Sequence, residues 1–281
     1  MSAETVNQSP TRPQTRFRES VKWILWRALP ESAYQRMLAW AKARDFESGI
    51  FREPELDLVP LLLREGDTAI DVGANHGMWS LAFSKAVGST GQVFAFEPVP
   101  FTFGTLEALV DRLGLENVET TMAGCSDEAG VFSMVIPEQG AGASDDLQAH
   151  LAEREGDSPE PAVHSVDCEV IRLDDALGDL ESVEMVKMDI EGAELKALRG
   201  ARGIIERHLP VVVCEVNEAF LEGFGQSRGE LHDFMDGFGY RAFHYSGDRV
   251  MRPLDSLDSI EHSNVVFVTS ERMDRLGELV A

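Results

Sequence analysis

The segment Ala69-Ile-Asp-Val-Gly-Ala-Asn-His-Gly-Met-Trp-Ser-Leu81, followed by Val93-Phe-Ala-Phe-Glu-Pro98, constrains this chain more than any other stretch. An apolar strand runs into a glycine turn, the turn opens a helix, and a second strand ends in an acid. Twenty residues separate Gly77 from Glu97, the spacing at which an acid meets a ribose in nucleotide-binding βαβ units. The glycines read Gly73-x-x-x-Gly77, with Asn75 where a dinucleotide fingerprint needs a second glycine for close approach to a pyrophosphate. A ribose-binding acid without pyrophosphate chemistry points to S-adenosylmethionine (SAM) rather than NAD.

The surrounding pattern repeats that unit. Strand Thr68–Val72, helix Gly77–Val87, strand Val93–Glu97, helix Pro100–Leu113 and strand Val118–Met122 alternate, which implies a mostly parallel sheet with helices on both faces. Val131–Ile136 and His164–Leu173 read as a strand pair spanning a long Gly-, Ser-, Asp-, Glu- and Pro-rich loop from Pro137 to Pro161. A loop of that length inside a compact domain is usually functional or mobile. Strand Met185–Met188, a helix from Gly192 to Gly200 continuing to Arg207, and strand Val211–Val216 follow. Helix Ser227–Phe238 precedes Tyr240–Tyr245 and Val265–Thr269, expected as a final antiparallel pair. Ahead of the domain, Glu55–Leu63 reads as a short helix, and Phe17 to Phe46 as a helical arm broken at Pro30. The expected organisation is a disordered tail over 1–16, the arm over 17–52 and one α/β domain over 53–281.

Charge narrows the partners. The net charge of −24 argues against nucleic acid, because phosphate binding needs a basic surface. Residues 1–52 differ, with nine Lys/Arg against five Asp/Glu. A basic helix carrying tryptophans can lie on a membrane surface, but apolar helical stripes are more often core, so packing of the arm against the domain is favoured. Cys125, Cys168 and Cys214 are scattered and odd in number, which fits a reducing cytoplasm rather than a disulfide framework. No apolar run reaches the length of a membrane span.

Four clusters carry candidate chemistry. At the Gly73/Gly77 turn, exposed amides of a helix N-terminus can take a carboxylate, and Asp71 can accept from a ligand ammonium or from nearby amides. Glu97 stands at a parallel strand's carboxyl end, where ligands bind in this fold, and a carboxylate can accept from both ribose hydroxyls. Gly124-Cys-Ser-Asp127 could meet an adenine edge, or could be a turn capped by Ser126 and Asp127. Val186-Lys-Met-Asp-Ile-Glu-Gly-Ala-Glu194 crowds Asp189, Glu191 and Glu194 at a strand end, with Glu215 able to join them. Crowded carboxylates suit ligand or cation binding or proton transfer, and Glu194 equally suits a helix N-terminus.

With these residues assembled, the chain resembles the FkbM family of SAM-dependent methyltransferases. The resemblance rests on Ala69–Gly77, Phe94–Pro98, Ile171-Arg-Leu-Asp-Asp-Ala-Leu177 and Val186–Gly200, the last containing Asp-x-Glu-Gly-x-Glu. It covers about Gly49 to Thr269, not the arm. It implies a class I methyltransferase fold, SAM as donor, and an oxygen acceptor on a sugar or polyketide. Carried onto this chain, Asp71, Gly73, Ala74, Asn75, Gly77, Glu97 and Pro98 would hold SAM and Ser126-Asp127 would lie by its adenine. Asp189, Glu191 and Glu194 would face the methyl-transfer region. The expected reaction is O-methylation of a glycan or related natural-product hydroxyl, with Asp189 or Glu191 as base, or with a divalent cation such as Mg2+ held by the acids. Other readings are a polyketide or other small-molecule hydroxyl or amine as acceptor, and a non-catalytic SAM- or nucleotide-binding module.

Overall fold

The computed structural model describes residues 25–49, 52–136, 150–151, 164–276 and 279. The tail and most of the 137–161 loop lie outside these residues. Strands β1 (Thr68–Val72), β2 (Gln92–Phe96), β3 (Val118–Thr121), β8 (Met185–Met188), β9 (Val211–Asn217), β10 (Tyr240–Tyr245), β11 (Met251–Leu254) and β12 (His262–Thr269) form one sheet. Their order is β11-β10-β12-β9-β8-β1-β2-β3. The strands from β3 to β9 pair in parallel, and β12, β10 and β11 close that end antiparallel.

Both faces of this sheet are covered, which is why β1 and β8 are buried along their whole length. Helices α2 (Val59–Leu62), α3 (Met78–Val87) and α4 (Pro100–Leu113) lie on one face, where Leu62 and Phe83 meet Val93, Val213 and Phe243. Helices α5 (Leu173–Leu177), α6 (Glu194–Gly200), α7 (Arg202–His208) and α9 (Arg228–Asp236) cover the other. There Leu198, Ile204 and Leu231 pack against Ile70, Phe94, Val186 and Val212. Two further helices, α8 (Glu218–Gly223) and α10 (Ser270–Met273), follow β9 and β12. Fully burying one such Leu or Phe contributes about 1.5–3 kcal/mol.

The arm helix α1 (Glu31–Glu47) packs on α4, with Ala39 and Ala43 against Leu109. Gln35 Nε2 donates to the Phe101 carbonyl at 3.2 Å, and Trp26 meets Tyr34 and Phe101 edge-on at 5.3 and 5.2 Å. Among the described residues no helix is long and apolar enough to cross a membrane.

Four details differ from the sequence expectation. A second sheet, β4-β7-β5-β6, joins Gly124–Cys125, His164–Ile171, Gly130–Ile136 and His150–Leu151; β4 is only two residues long and carries no pattern of its own. Strand β11 escapes notice because Pro253 interrupts it, and an edge strand tolerates that proline. The helix expected from Gly192 to Arg207 starts at Glu194 and divides at Ala201, whose φ of −106° and ψ of 14° leave the helical range, next to Gly200, where a Cβ would lie 2.0 Å from the Ser126 carbonyl oxygen. Finally, Glu55–Leu63 becomes a 3-10 turn over Pro54–Asp57 followed by α2, each with a proline, which lacks an amide donor, in its first two positions.

Candidate functional site

Beyond Val72 the chain reverses through Gly73, Asn75 and Gly77, all with left-handed φ of 76°, 49° and 85°. The short polar side chain of asparagine is one of the few that tolerate this. Gly73 is demanded by crowding, because a Cβ there would lie 1.9 Å from the Asp189 carbonyl oxygen. At Gly77 a Cβ would meet Leu106 Cδ1 at 2.8 Å. The amides of Gly73 and Ala74 both donate to the Phe96 carbonyl at 2.9 Å, fastening the turn to the end of β2.

Glu97 follows immediately. Its Oε2 accepts from the Asn75 amide and its Oε1 from the Val99 amide, both at 2.9 Å, so the carboxylate is oriented between turn and loop. Pro98 packs beside Gly124, whose missing Cβ would sit 3.6 Å from it. Two residues on, buried Ser126 donates to Asp127 Oδ1 at 3.2 Å. Ala74, Asn75, Glu97 and Pro98 thus stand on adjoining segments, with the Ser126-Asp127 loop beyond them. Asp71 sits lower. It is buried in β1 and accepts from Ser80 Oγ at 2.6 Å, tying α3 to the strand; burial pushes its pKa up to about 7, against the Ser80 bond.

The acidic end begins where β8 stops. Asp189 N–H donates to the Val72 carbonyl at 3.0 Å, so this loop starts alongside the glycine turn. Glu191 takes a left-handed φ of 56°. Glu194 turns inward: it is buried, and its Oε1 accepts from the Ile190 and Gly192 amides at 3.0 and 3.2 Å, shaping the turn that presents Glu191. Burial first, and Glu215 second, push its pKa up to about 8. Oxygens of Asp189, Glu191 and Glu215 lie within 4.8 Å of one another.

Two basic residues stand against these acids. Lys187 lies two residues before Asp189 on the same face of β8 and is only 1% exposed. Its Nζ donates to Asn264 Oδ1 at 2.6 Å, stands 3.6 Å from Asp189 Oδ2 and 3.8 Å from Glu53 Oε2, and lies over the Trp79 ring at 5.4 Å. Burial opposes its charge, but Asp189, Glu53, Glu215 and Glu55 together hold its pKa above the ordinary lysine value. Glu53 Oε2 also accepts from Trp79 Nε1 at 3.0 Å and from Asn264 Nδ2 at 2.9 Å. His262 Nε2 meets Glu215 Oε1 at 2.7 Å. Lys187 and His262 are already set against Asp189 and Glu215, so the chain itself supplies part of the positive charge an ion would bring there.

Sequence reasoning did not single out Lys187, Glu53, Asn264 or His262. Lys187 carried one signal, a lone cation in the apolar run Met-Val-Lys-Met. The others depend on register, since Asn264 is paired opposite Glu215, and His262 opposite Asn217.

A mostly parallel sheet whose glycine turn and strand-end acid adjoin a second, acidic strand end belongs to the SAM-dependent methyltransferase class. The methyltransferase FkbM domain family matches residues 71–242, more than half of the sequence, and the chain belongs to that family. Methyltransferase 1 of Beauveria bassiana (strain ARSEF 2860) is 27% identical over 180 residues, covering 60% of this chain and 71% of that protein. The 31-O-demethyl-FK506 methyltransferase FkbM of Streptomyces tacrolimicus is 28% identical over 205 residues, 63% of this chain and 74% of that one. A crystal structure of methyltransferase FkbM from Methylobacillus flagellatus KT superposes with a TM-score of 0.45 at 16% identity, over 89% of this chain and 58% of its own.

Proposed function

We propose that this protein transfers the methyl group of SAM to a hydroxyl of a small natural product, sugars among them. The observation that carries this reading is the contact between Gly73 and the Asp189 carbonyl, so close that no Cβ fits between them. A sulfonium bound on the turn would stand next to the acidic strand end. The first-turn amides of α3, which a helix leaves without backbone partners of its own, would take the methionine carboxylate. Glu97 would accept from the ribose hydroxyls, with Pro98, Ser126 and Asp127 along the adenine, and Asp71 bracing the turn from below. Asp189 and Glu191 would hold the acceptor hydroxyl, with Glu194 shaping their turn.

Methyl transfer from sulfur is an in-line displacement, so alignment of the two reactants supplies much of the rate. The acceptor oxygen attacks the methyl carbon, the carbon–sulfur bond breaks with its electron pair going to sulfur, and the hydroxyl proton passes to a base at the acidic end. The substrate in the name of the Streptomyces tacrolimicus relative is an O-demethyl compound, which supports oxygen over nitrogen as the acceptor atom.

The test is incubation of the full chain with methyl-labelled SAM and a panel of methyl glycosides, hydroxylated macrolactones and amines. Labelled, alkali-stable methyl ethers are expected, at an unchanged rate in EDTA. Label on amines alone, or on nothing, would sink this reading, and loss of transfer in EDTA would restore a divalent cation at the acids.

A further inference from the structure

His262 lies outside the family-matched segment, yet it is joined to the acidic end. It opens β12, which runs antiparallel to β9, and this brings the first residue of one strand beside the last residues of the other. Its side chain is 62% exposed, whereas that of Glu215 is 16% exposed. A half-buried carboxylate thus reaches out to an imidazole at the open end of the sheet, 2.7 Å away. Asp189, by contrast, is ion-paired to the buried Lys187 ammonium.

We propose that the Glu215–His262 pair is the proton acceptor for methyl transfer, a role that rests on the hydroxyl reading above. With Nε2 committed to Glu215, Nδ1 is the nitrogen that can take a proton. As the acceptor oxygen bonds to the methyl carbon and the sulfonium leaves as a neutral thioether, the hydroxyl proton passes to Nδ1. The imidazolium that forms is held by Glu215 and returns its proton to solvent from an exposed position. A carboxylate that orients an imidazole and stabilises its charged form is a recurrent solution to activating a hydroxyl.

The groups facing His262 support this. Glu215 on β9 and Asp189 at the end of β8 both raise its pKa above the ordinary histidine value, with the Glu215 hydrogen bond the largest cause and burial opposing it. Glu191 belongs to the same acidic group. Lys187 reaches Asn264, two residues along β12, while Arg228 is taken up by Glu218 and by the Ile260 carbonyl. The imidazole must be neutral to act, so the rate should rise with pH through a midpoint above the ordinary histidine value.

Two measurements on the full chain decide it. In methyl transfer from labelled SAM to the panel alcohols, His262→Gln should lower kcat by about 10²–10⁴-fold and abolish the acid limb of the pH–rate profile. Its SAM affinity, read by calorimetry, should stay within about twofold of wild type, as expected of a group that takes a proton from the acceptor without binding the cofactor. In the second, the His262 ring signals are followed by NMR, and Glu215→Gln should move their titration to lower pH. Undiminished transfer by His262→Gln, a retained acid limb, or a His262 titration indifferent to Glu215→Gln would overturn the proposal while leaving hydroxyl methylation intact. Absence of any methyl ether from the wild type would overturn both.

Discussion

Replacing Gly73 with alanine tests whether the glycine turn and the acidic strand end are built as one unit. The added Cβ would lie 1.9 Å from the Asp189 carbonyl oxygen, and contacts under 3.0 Å are essentially never seen, so one backbone must move by about 1.1 Å, the difference of the two. The left-handed φ of 76° adds its own penalty, about 1–2 kcal/mol for a residue with a Cβ. Overpacking of a tight site costs about 1–3 kcal/mol. Together they reach about 2–5 kcal/mol, or a Tm lowered by roughly 5–15 °C for a chain of this size. Displacement of the turn by about 1 Å should also cost on the order of 10²-fold in transfer rate. Gly114 is the control: its φ is 62° but a Cβ there meets nothing within 4 Å, so Gly114→Ala should lose only the about 1–2 kcal/mol of backbone strain. Thermal melts and calorimetric SAM titrations of both variants separate collision from conformation. If Gly73→Ala matched Gly114→Ala in Tm and in SAM affinity, the reasoning about that contact would be wrong.

Other perturbations follow from the same geometry. Glu97→Ala removes the acceptor of the Asn75 and Val99 amides together with the proposed ribose contacts, and SAM affinity by calorimetry should fall by about 10–100-fold, since hydrogen bonds to a charged group contribute roughly 1.5–3 kcal/mol; an unchanged Kd would remove Glu97 from the cofactor site. Lys187→Met leaves the partly exposed Asp189 and Glu53 without their buried cation and should cost about 1–3 kcal/mol in urea unfolding, whereas a neutral result would mean that the ion pairs are dispensable. Burial raises the pKa of Glu55 to about 7, of Asp71 to about 7 and of Glu194 to about 8, from ordinary values of 4.5, 3.8 and 4.5. Between those limits the folded chain binds more protons than the unfolded one, so stability is greatest on the acid side and declines as pH rises. The Tm should therefore fall between pH 5 and pH 8, and a Tm rising across that range would contradict the burial of these acids.

The glycine-turn half of the candidate site was legible because its signals are local. Strand alternation, the positions of Gly73 and Gly77, and the interval to Glu97 lie within thirty residues and depend on backbone sterics that sequence states directly. Asp189 and Glu191 could be grouped for the same reason. What sequence cannot display is register between distant strands. The pairing of Glu215 with Asn264, and the approach of Glu53 to Lys187, join residues 49 and 134 positions apart, by difference of their numbers. Glu194 had two readings in the sequence, a role toward substrate and a place at a helix N-terminus, and its Oε1 accepts from the Ile190 and Gly192 amides at that helix start.

This division has a consequence for specificity. The family match ends at Asp71 on one side and Ala242 on the other, so it contains the turn, Glu97 and the acids of β8 and β9. Glu53, His262 and Asn264 fall outside it, and they complete the charge balance of those acids. Asn264 bonds Lys187, Glu53 and Glu55 at once, while His262 takes up Glu215. A buried acid left without such partners is costly, so the flanking segments fix which acids stay charged and which way they point. Chains that share the matched segment can therefore keep one glycine turn and its strand-end acid while differing at the acidic end. In this chain that end is defined as much by β12 and the segment before α2 as by the Asp-x-Glu-Gly-x-Glu loop itself.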